Sequence, residues 1–312
     1  MAAVPILPLS RYCIRFRAVS DLRLPAFTGA AWRGGFSHAL KRLVCVTREP
    51  TCPPCLLYRT CIYPYLFETP PHPGGGKLAR CASAPHPFVL IPDQRSGAMA
   101  AGETLTLGIT LFGNGNRHLP YIVQALNQAG QRGIGQDRGI LELLTVSQID
   151  ENDRSLAFPA DSVFAPTAVT AISIPPCPEQ LRLHLVTPLR LNSENHLVSQ
   201  DRFHFYPLFS SLLRRISLLM AFHTDALLEA DFAGLTQAAR RVELDHARLR
   251  WHEWARYSSR QDRLVQMGGL LGDIELSGKE LEPFWPYLWL GQWTHAGKGA
   301  VMGLGRYRVH FL

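Results

Sequence analysis

Residues 294–309 read T-H-A-G-K-G-A-V-M-G-L-G-R-Y-R-V, and this stretch organises the interpretation of the whole chain. Its glycines alternate with small and apolar residues; they are Gly297, Gly299, Gly303 and Gly305. Lys298 stands between the first two, and Arg306 follows the last. Because glycine has no Cβ, backbone N–H groups in such a loop approach a ligand closely, and a nest of N–H groups beside a lysine favours phosphate. The alternative is a plain turn between a helix and the last strand.

The order of elements before this loop occurs twice along the chain. In both halves, apolar residues spaced i, i+3, i+4, i+7 predict a helix, and a Gly-x-Gly turn and a last strand follow it. The helical pattern begins at Leu119 in the first half and at Leu281 in the second. The corresponding Gly-x-Gly turns begin at Gly133 and Gly297. Each half therefore predicts the order β-α-β-β-α-β.

The patterns also give approximate bounds for these elements. In the first half we expect a strand at 12–18, a helix at 30–43, strands at 86–92 and 103–113, a helix at 119–126 and a strand at 140–146. In the second half we expect a strand at 181–185, helices at 209–220 and 225–241, strands at 247–257 and 270–276, a helix at 281–288 and a strand at 307–312.

The sequence thus predicts an α+β protein of two tandem ferredoxin-like (βαββαβ, RRM-like) domains, with a C-terminal Gly-rich loop and a Cys-rich metal-binding insertion. The first domain is expected at 1–150, with the cysteine cluster at 45–61. Residues 151–178 are rich in Pro, Ser and Ala and form the expected linker. The second domain is expected at 179–312, with the Gly-rich loop at 295–305.

Composition favours a polyanionic partner. The chain has 312 residues, 46% of them hydrophobic, which is enough apolar mass for two cores. Its net charge is +7 and its pI is about 9.2, and a basic balance of this kind favours nucleic acid first. The N-terminus has no charged segment followed by an apolar run, and no apolar stretch approaches the length of a membrane span. We therefore expect a soluble, cytoplasmic protein with no membrane partner.

Four of the seven cysteines lie close together in the sequence C-x6-C-x2-C-x5-C; they are Cys45, Cys52, Cys55 and Cys61. A C-x2-C pair supplies two thiolates at chelating distance, and four soft ligands favour tetrahedral zinc. An iron–sulfur cluster and a set of buried free thiols are the alternatives. We predict a structural zinc ion rather than a catalytic metal, because a closed four-thiolate site leaves no position for substrate.

Several strings of the sequence resemble the RAMP superfamily of CRISPR-associated proteins, and the nearest type is the endoribonuclease that processes pre-crRNA. These strings are F-x-G-x-x-x-R-G at 27–34, T-P-L-R at 187–190, R-Y-S-S-R-Q at 256–261 and H-x-G-K-G…G-L-G at 295–305. The resemblance implies metal-independent cleavage of CRISPR repeat RNA. The ribose 2′-hydroxyl attacks the adjacent phosphate and leaves a 2′,3′-cyclic phosphate and a 5′-hydroxyl.

The implied partners are repeat RNA or crRNA and other CRISPR effector subunits. Two alternatives remain open at this point. The first alternative to the nuclease is a non-catalytic RAMP subunit that holds crRNA in an effector complex. The second is a zinc-stapled protein-interaction module without RNA affinity. Turnover of repeat RNA separates the first alternative from the nuclease, and salt-dependent RNA binding separates the second.

The resemblance implies that His38, on the first helix, is the general acid/base, because histidine titrates near operating pH. His295 is the competing candidate, and an ordinary solvated or packed histidine is the alternative for each. Lys298 is the expected charge on the reacting phosphate. The further RNA contacts expected are the Gly-rich loop and Arg33, Lys41, Arg42, Arg256, Tyr257, Arg260 and Arg306. The repeated fold predicts that His38 and Lys298 face each other.

Overall fold

The structure is a computed structural model that describes residues 4–71, 78, 84–135, 137–158, 170–194, 196–258 and 263–312. It confirms a mixed α+β protein with antiparallel sheets. The chain divides into two compact units. The N-terminal unit contains Pro8–Ala171 and Ala221–Asp225, and the C-terminal unit contains Met1–Leu7, Ile172–Met220 and Ala226–Leu312.

The N-terminal unit has an antiparallel sheet in the order β3-β5-β1-β6-β7, with β8 pairing with β1. Its helices are α1 (Gly29–Val44), α2 (Ile62–Phe67) and α3 (Leu119–Gln131). Its strands are β1 (Pro8–Ala18), β2 (Leu22–Leu24), β3 (Phe88–Pro92), β4 (Gly97–Met99), β5 (Thr104–Phe112), β6 (Leu141–Ile149), β7 (Ser155–Ala157) and β8 (Thr170–Ala171). Strands β2 and β4 form a separate pair that the sequence did not predict.

Alternation along β1 explains how this sheet forms its core. Ile14 and Phe16 are fully buried, whereas Arg15 and Arg17 on the opposite face are exposed. Trp32 and Phe36 of α1 are also fully buried, and the rings of Phe16 and Trp32 lie 4.9 Å apart. Burial of large apolar and aromatic side chains is the main stabilising term in such a core. The strand and helix expected at 12–18 and 30–43 are therefore confirmed.

The C-terminal unit has a sheet in the order β12-β15-β9-β16. Its helices are α4 (Phe205–His223), α5 (Phe232–Ala239) and α6 (Trp285–Thr294). Its strands are β9 (Gln180–Leu189), β10 (Asn192–Ser193), β11 (His196–Leu197), β12 (His246–His252), β13 (Ala255–Ser258), β14 (Arg263–Gln266), β15 (Gly269–Ser277) and β16 (Tyr307–Phe311). The last turn of α4 falls within the N-terminal unit.

The main sheets share one connectivity. When the four strands of each βαββαβ series are numbered along the chain, both sheets have the order second, third, first, fourth. In the C-terminal unit, Leu183 and Ile274 pair across the sheet and are both fully buried. Phe209 of α4 and Phe284, just before α6, pack in the same core with ring centroids 4.7 Å apart. Repetition of element order predicted this shared pattern.

Three stretches differ from the sequence interpretation. The helix expected at 225–241 is limited to α5, because Asp231 caps its start by accepting a hydrogen bond from the Gly234 N–H at 2.8 Å. The strand expected at 247–257 is divided between β12 and β13, and β13 pairs with β14 as a hairpin. The short strands β7 and β8 lie within 151–178, the expected linker. Within the described residues, no helix is long and apolar enough to cross a membrane.

Candidate nucleic-acid interface

One exposed face of α1 carries His38 and Arg42, one helical turn apart. The part of the chain that the structure describes offers neither side chain a hydrogen bond or ion pair, so both are available to a ligand. Gly34 lies one turn before His38, and a Cβ built there would meet no atom of the described residues within 4 Å. His38 therefore stands on the solvent-exposed side of α1.

The other two cations of α1 are partly committed to protein contacts. The Lys41 ammonium donates to the Pro50 carbonyl at 2.9 Å and lies 5.6 Å from the centre of the Tyr63 ring. The Arg33 guanidinium lies 5.4 Å from the centre of the Phe67 ring. These contacts fix both side chains against the segment that follows α1. Lys41 keeps two of its three N–H donors, so a contact with RNA is compatible with this arrangement.

The Gly-rich loop forms two close turns between α6 and β16. Gly297, Gly299, Gly303 and Gly305 have φ of 75°, 81°, 99° and 66°, the left-handed region that favours glycine. A Cβ at Gly297 would collide with the carbonyl oxygen of Arg190, and one at Gly305 with that of Ala296. The backbone of the loop itself therefore requires these glycines.

The loop amides are not a free anion nest, which corrects the sequence interpretation. The Gly297 N–H donates to the Ser211 hydroxyl at 2.9 Å, and the Gly305 N–H donates to the Pro188 carbonyl at 3.0 Å. The Gly303 N–H donates to the Ala300 carbonyl at 2.9 Å. The first two hydrogen bonds hold the loop against α4 and β9, and the third closes a turn within the loop. Gly297, Gly303 and Gly305 thus have no N–H left for phosphate.

Lys298 is the exposed cation of this loop. Its backbone N–H donates to the Arg190 carbonyl at 2.8 Å, which fixes where the side chain leaves the loop. No ion-pair partner of its ammonium lies among the described residues. Arg306 is half-buried, and its backbone N–H donates to the Thr187 hydroxyl at 2.9 Å. The positive charge at this loop therefore comes from side chains on a rigid backbone.

His295 lies in the core at the end of α6, with 0% of its surface exposed. Its Nδ1 is 3.1 Å from the Leu304 carbonyl oxygen, which only accepts, so Nδ1 carries the proton. Burial, and then the nearby Arg306 and Arg215, hold the pKa of His295 well below its ordinary value. A ring that is buried and neutral does not reach RNA, so the predicted catalytic role of His295 is not carried into the proposal below.

A buried cation, Arg215 of α4, lies at the start of the loop. The Arg215 Nε donates to the Thr294 carbonyl at 2.6 Å, and its Nη2 is buried without a partner. Burial lowers the pKa of Arg215 to about 10, so it keeps its charge at neutral pH. Its sequence signal is weak, because Arg214 and Arg215 are adjacent on a helix and only three-dimensional packing distinguishes them.

A second group of cations lies on the open face of the C-terminal sheet. Across the strands, Arg248 pairs in register with Asp273, Asp273 with His184, and His184 with Arg308. Residues directly opposite in a sheet share a face. Arg250 lies on the same face as Arg248, two residues further along β12. This surface was not predictable from the sequence, because arginines at alternate positions form a cluster only once the pairing of the strands is known.

Acids on β15 neutralise the middle of this face. Glu275 forms an ion pair with Arg182 at 2.9 Å, and Asp273 lies 2.8 Å from His184 Nδ1. The outer strands retain positive charge, since Arg248, Arg250 and Arg308 are exposed and their side chains form no ion pair with a described residue. The exposed face of the sheet thus has basic margins along its two outer strands, and its other face is apolar.

The remaining predicted contacts are defined less fully. Arg256 and Tyr257 lie in β13, whose backbone pairs with β14, and only their backbone is described. Arg260 lies outside the described residues. All three stay predictions.

The cysteine segment connects α1 to α2 through turns. Its cavity is lined by all four cysteines, Cys45, Cys52, Cys55 and Cys61. The Thr47 hydroxyl lies 3.3 Å from Cys55 Sγ and 4.0 Å from Cys45 Sγ. Burial, and then a hydrogen bond with Glu68, raise the pKa of the Cys52 thiol to about 11. Among the described residues, no three His, Cys, Asp or Glu side chains are already arranged as metal ligands.

Two family models match the chain. The family AF_1859_N, described as an N-terminal domain, matches residues 7–171. The family described as CRISPR-associated endoribonuclease Cas6 matches residues 183–307. An uncharacterised protein of Archaeoglobus fulgidus is 32% identical over 112 residues, which are 36% of this chain and 37% of that protein. The alignment therefore spans little more than a third of this relative.

Solved structures of Cas6 proteins share the fold. A Thermus thermophilus Cas6 has a TM-score of 0.55 at 14% identity, covering 97% of this chain and 99% of its own. A Cas6 product complex has a TM-score of 0.57 at 16% identity, with the same coverage. A partial Cas6-RT-Cas1–Cas2 complex has a TM-score of 0.60 at 14% identity and covers all of this chain, which spans 47% of that longer chain.

Proposed function

We propose that this chain, which belongs to the AF_1859_N family and is a CRISPR-associated RAMP protein of the Cas6 type, is an endoribonuclease that cuts CRISPR repeat RNA. The Cas6 family model supports CRISPR-related RNA processing, and the cut itself is our proposal. The observation that carries it is His38, an exposed histidine without a partner among the described residues, with Arg42 one turn away. A proton-transfer group beside a cation is what cleavage of a phosphodiester by its own ribose requires.

In the proposed reaction, the ribose 2′-oxygen forms a bond to the adjacent phosphorus, and the bond from phosphorus to the 5′-oxygen breaks. His38 acts as the general acid/base on these oxygens: it takes the 2′-hydroxyl proton while water protonates the leaving 5′-oxygen, or it protonates the 5′-oxygen while water takes the 2′-hydroxyl proton. The products are a 2′,3′-cyclic phosphate and a 5′-hydroxyl, and no electrons are exchanged. The proposed reaction needs no metal, because protein side chains supply both the proton transfer and the positive charge at the phosphate.

Lys298 is the proposed charge on the phosphorane. A fixed cation stabilises the developing negative charge more than it stabilises the ground state. The hydrogen bond from its backbone N–H to the Arg190 carbonyl supports this role, because it restricts where the ammonium can move. The proposal takes both units as ferredoxin-like, as their equal strand order suggests.

The RNA backbone is proposed to contact further cations in both units. From the sequence these are Arg33, Lys41, Arg42, Arg256, Arg260 and Arg306, with Tyr257 stacking on a base. We add Arg248, Arg250 and Arg308, whose exposed and unpaired charges at the sheet margins attract phosphates. We also propose that the chain binds other subunits of a CRISPR effector complex.

Purified protein mixed with CRISPR repeat RNA in EDTA separates the candidate functions. We expect the nuclease to convert repeat RNA to shorter products over repeated turnover or in a single turnover. A non-catalytic RAMP subunit would bind the RNA and return it intact. A protein-interaction module would lack the RNA binding, weakening as salt increases, that phosphate contacts produce.

We also propose that Cys45, Cys52, Cys55 and Cys61 hold a structural zinc ion. Four thiol groups lining one cavity form the donor set that zinc prefers, although this structure does not bring them to ligand distance. The segment has little core of its own, since Leu56 is 97% exposed and Val46 is 76% exposed. A metal that closes on the thiolates would supply the missing constraint. No catalytic step passes through it.

Elemental analysis of the purified protein is expected to find about one zinc per chain. The pair of substitutions Cys52→Ser and Cys55→Ser is expected to remove that zinc and lower the unfolding temperature, because two thiolate ligands are lost. Cys177→Ser is the matched control, since Cys177 is a free cysteine outside the segment, and it is expected to keep the metal. Zero metal in a normally folded wild-type protein would discard the site, and iron instead of zinc would identify a cluster.

A further inference from the structure

We infer that Gly34 is the point where the RNA backbone comes closest to α1, an inference that rests on the proposed nuclease function. Gly34 lies in the interior of α1, which spans Gly29–Val44. Apart from proline, glycine is the least favourable residue inside a helix, and alanine is the most favourable. A glycine at this position therefore lowers the stability of the helix relative to alanine, and packing or a contact with a ligand can offset that cost.

Packing against the described residues gives no reason for a glycine at position 34. A Cβ built on this residue meets no described atom within 4 Å. The neighbouring Gly35 differs, because its Cβ would lie 3.2 Å from the Cβ of Ala129, where α1 packs against α3. Gly35 is therefore explained by the close approach of two helices. Gly34 has an ordinary helical backbone and open space, so nothing in the described part of the unit excludes an alanine.

The position of Gly34 relative to His38 points to a ligand. Residues four apart lie on one helical face, so Gly34, His38 and Arg42 form a continuous row. Side chains of a helix lean toward its N-terminus, so a helical residue covers the turn before its own Cα. The turn that His38 covers is the one that contains Gly34. A methyl group at position 34 would fill the surface beside the imidazole.

Cleavage of RNA requires the substrate to occupy the helix surface beside His38 and Gly34. A general acid/base must come within hydrogen-bonding distance of the ribose 2′-oxygen or the leaving 5′-oxygen. The scissile ribose and phosphate then lie beside the imidazole and over the preceding turn of the helix. Without a Cβ at Gly34, the sugar–phosphate backbone reaches the helix surface. Gly34 thus determines how close the substrate lies to the acid/base.

Gly34→Ala tests the inference, because it is expected to stabilise the protein while impairing its activity. The unfolding temperature is expected to rise by about 2–4 °C, the usual shift when a helical glycine is replaced in a unit of this size. The single-turnover cleavage rate of repeat RNA is expected to fall at least about tenfold, because a shift of about 1 Å between the scissile phosphate and the acid/base strongly slows the reaction. Affinity for a repeat RNA with 2′-deoxyribose at the cut is expected to weaken several-fold.

Gly35→Ala is the contrasting control. Its unfolding temperature is expected to rise less than that of Gly34→Ala, because a Cβ 3.2 Å from the Cβ of Ala129 opposes the gain in helix propensity. Cleavage by Gly34→Ala within twofold of wild type would overturn the inference while leaving the nuclease intact. A Gly34→Ala protein that loses stability and activity together would overturn it as well, since the residue would then be structural. If wild type fails to cut but binds the RNA, the nuclease proposal fails. In that case weaker binding by Gly34→Ala supports the close approach, and unchanged binding overturns it.

Discussion

Replacing His38 with alanine is expected to slow cleavage of repeat RNA by about 10²- to 10⁴-fold, the usual contribution of a positioned acid/base. Affinity for the RNA is expected to stay within about threefold of wild type, because contacts of lysine and arginine side chains with the RNA phosphates supply most of the binding. The fold is expected to be unaffected, since His38 is exposed and makes no hydrogen bond or ion pair with the described residues. The measurement is single-turnover cleavage at saturating protein, together with a binding isotherm.

The matched control for this variant is His196→Ala. His196 is also exposed, but it lies on the short strand β11 of the C-terminal unit and has no place in the proposed machinery. Its removal is expected to leave the cleavage rate within twofold of wild type. Full activity in His38→Ala would remove His38 from the mechanism.

Replacing Lys298 with alanine is expected to lower the cleavage rate by about 10²- to 10³-fold, the cost of losing one preorganised group at developing negative charge. The loop is expected to keep its shape, because its hydrogen bonds run through backbone groups such as the Lys298 N–H and not through the ammonium. The loss is therefore expected in the rate at saturating RNA more than in affinity. Single-turnover rates across a range of protein concentrations separate these two effects.

Lys279→Ala is the control for Lys298→Ala, because Lys279 is an exposed lysine of the same unit that lies before α6. Lys279→Ala removes one positive charge on the other side of α6 from the loop in sequence. It is expected to change cleavage only slightly. Equal losses in the two variants would mean that net charge, and not a specific contact, explains the Lys298 effect.

The sequence predicted the fold where one face of an element is continuously apolar. The alternation of β1 and the helical stripe of α1 each report which side meets the core, so their existence and order were predictable. The β2–β4 pair was not predicted, because Leu22–Leu24 and Gly97–Met99 are too short for a period to appear. Helical spacing alone also overextended the helix that became α5.

The candidate site was less predictable than the fold, for physical reasons that particular residues make clear. Glycine frequency revealed the loop, but the acceptors Ser211 and Pro188 that use its N–H groups come from distant parts of the chain. His295 looked like His38 in the sequence, and only burial separates them. The basic margins of the C-terminal sheet depend on the pairing of β12, β15, β9 and β16.

The central claim is that RNA is cut by its own 2′-hydroxyl with proton transfer from the protein, and the chemistry of the product ends tests this most directly. Repeat RNA incubated with the protein in EDTA is expected to yield a 5′-hydroxyl on one fragment and a 2′,3′-cyclic phosphate on the other. A single 2′-deoxyribose at the cut position is expected to block cleavage completely. Cleavage of that deoxy substrate, or products with a 5′-phosphate that form only with Mg²⁺, would contradict the account.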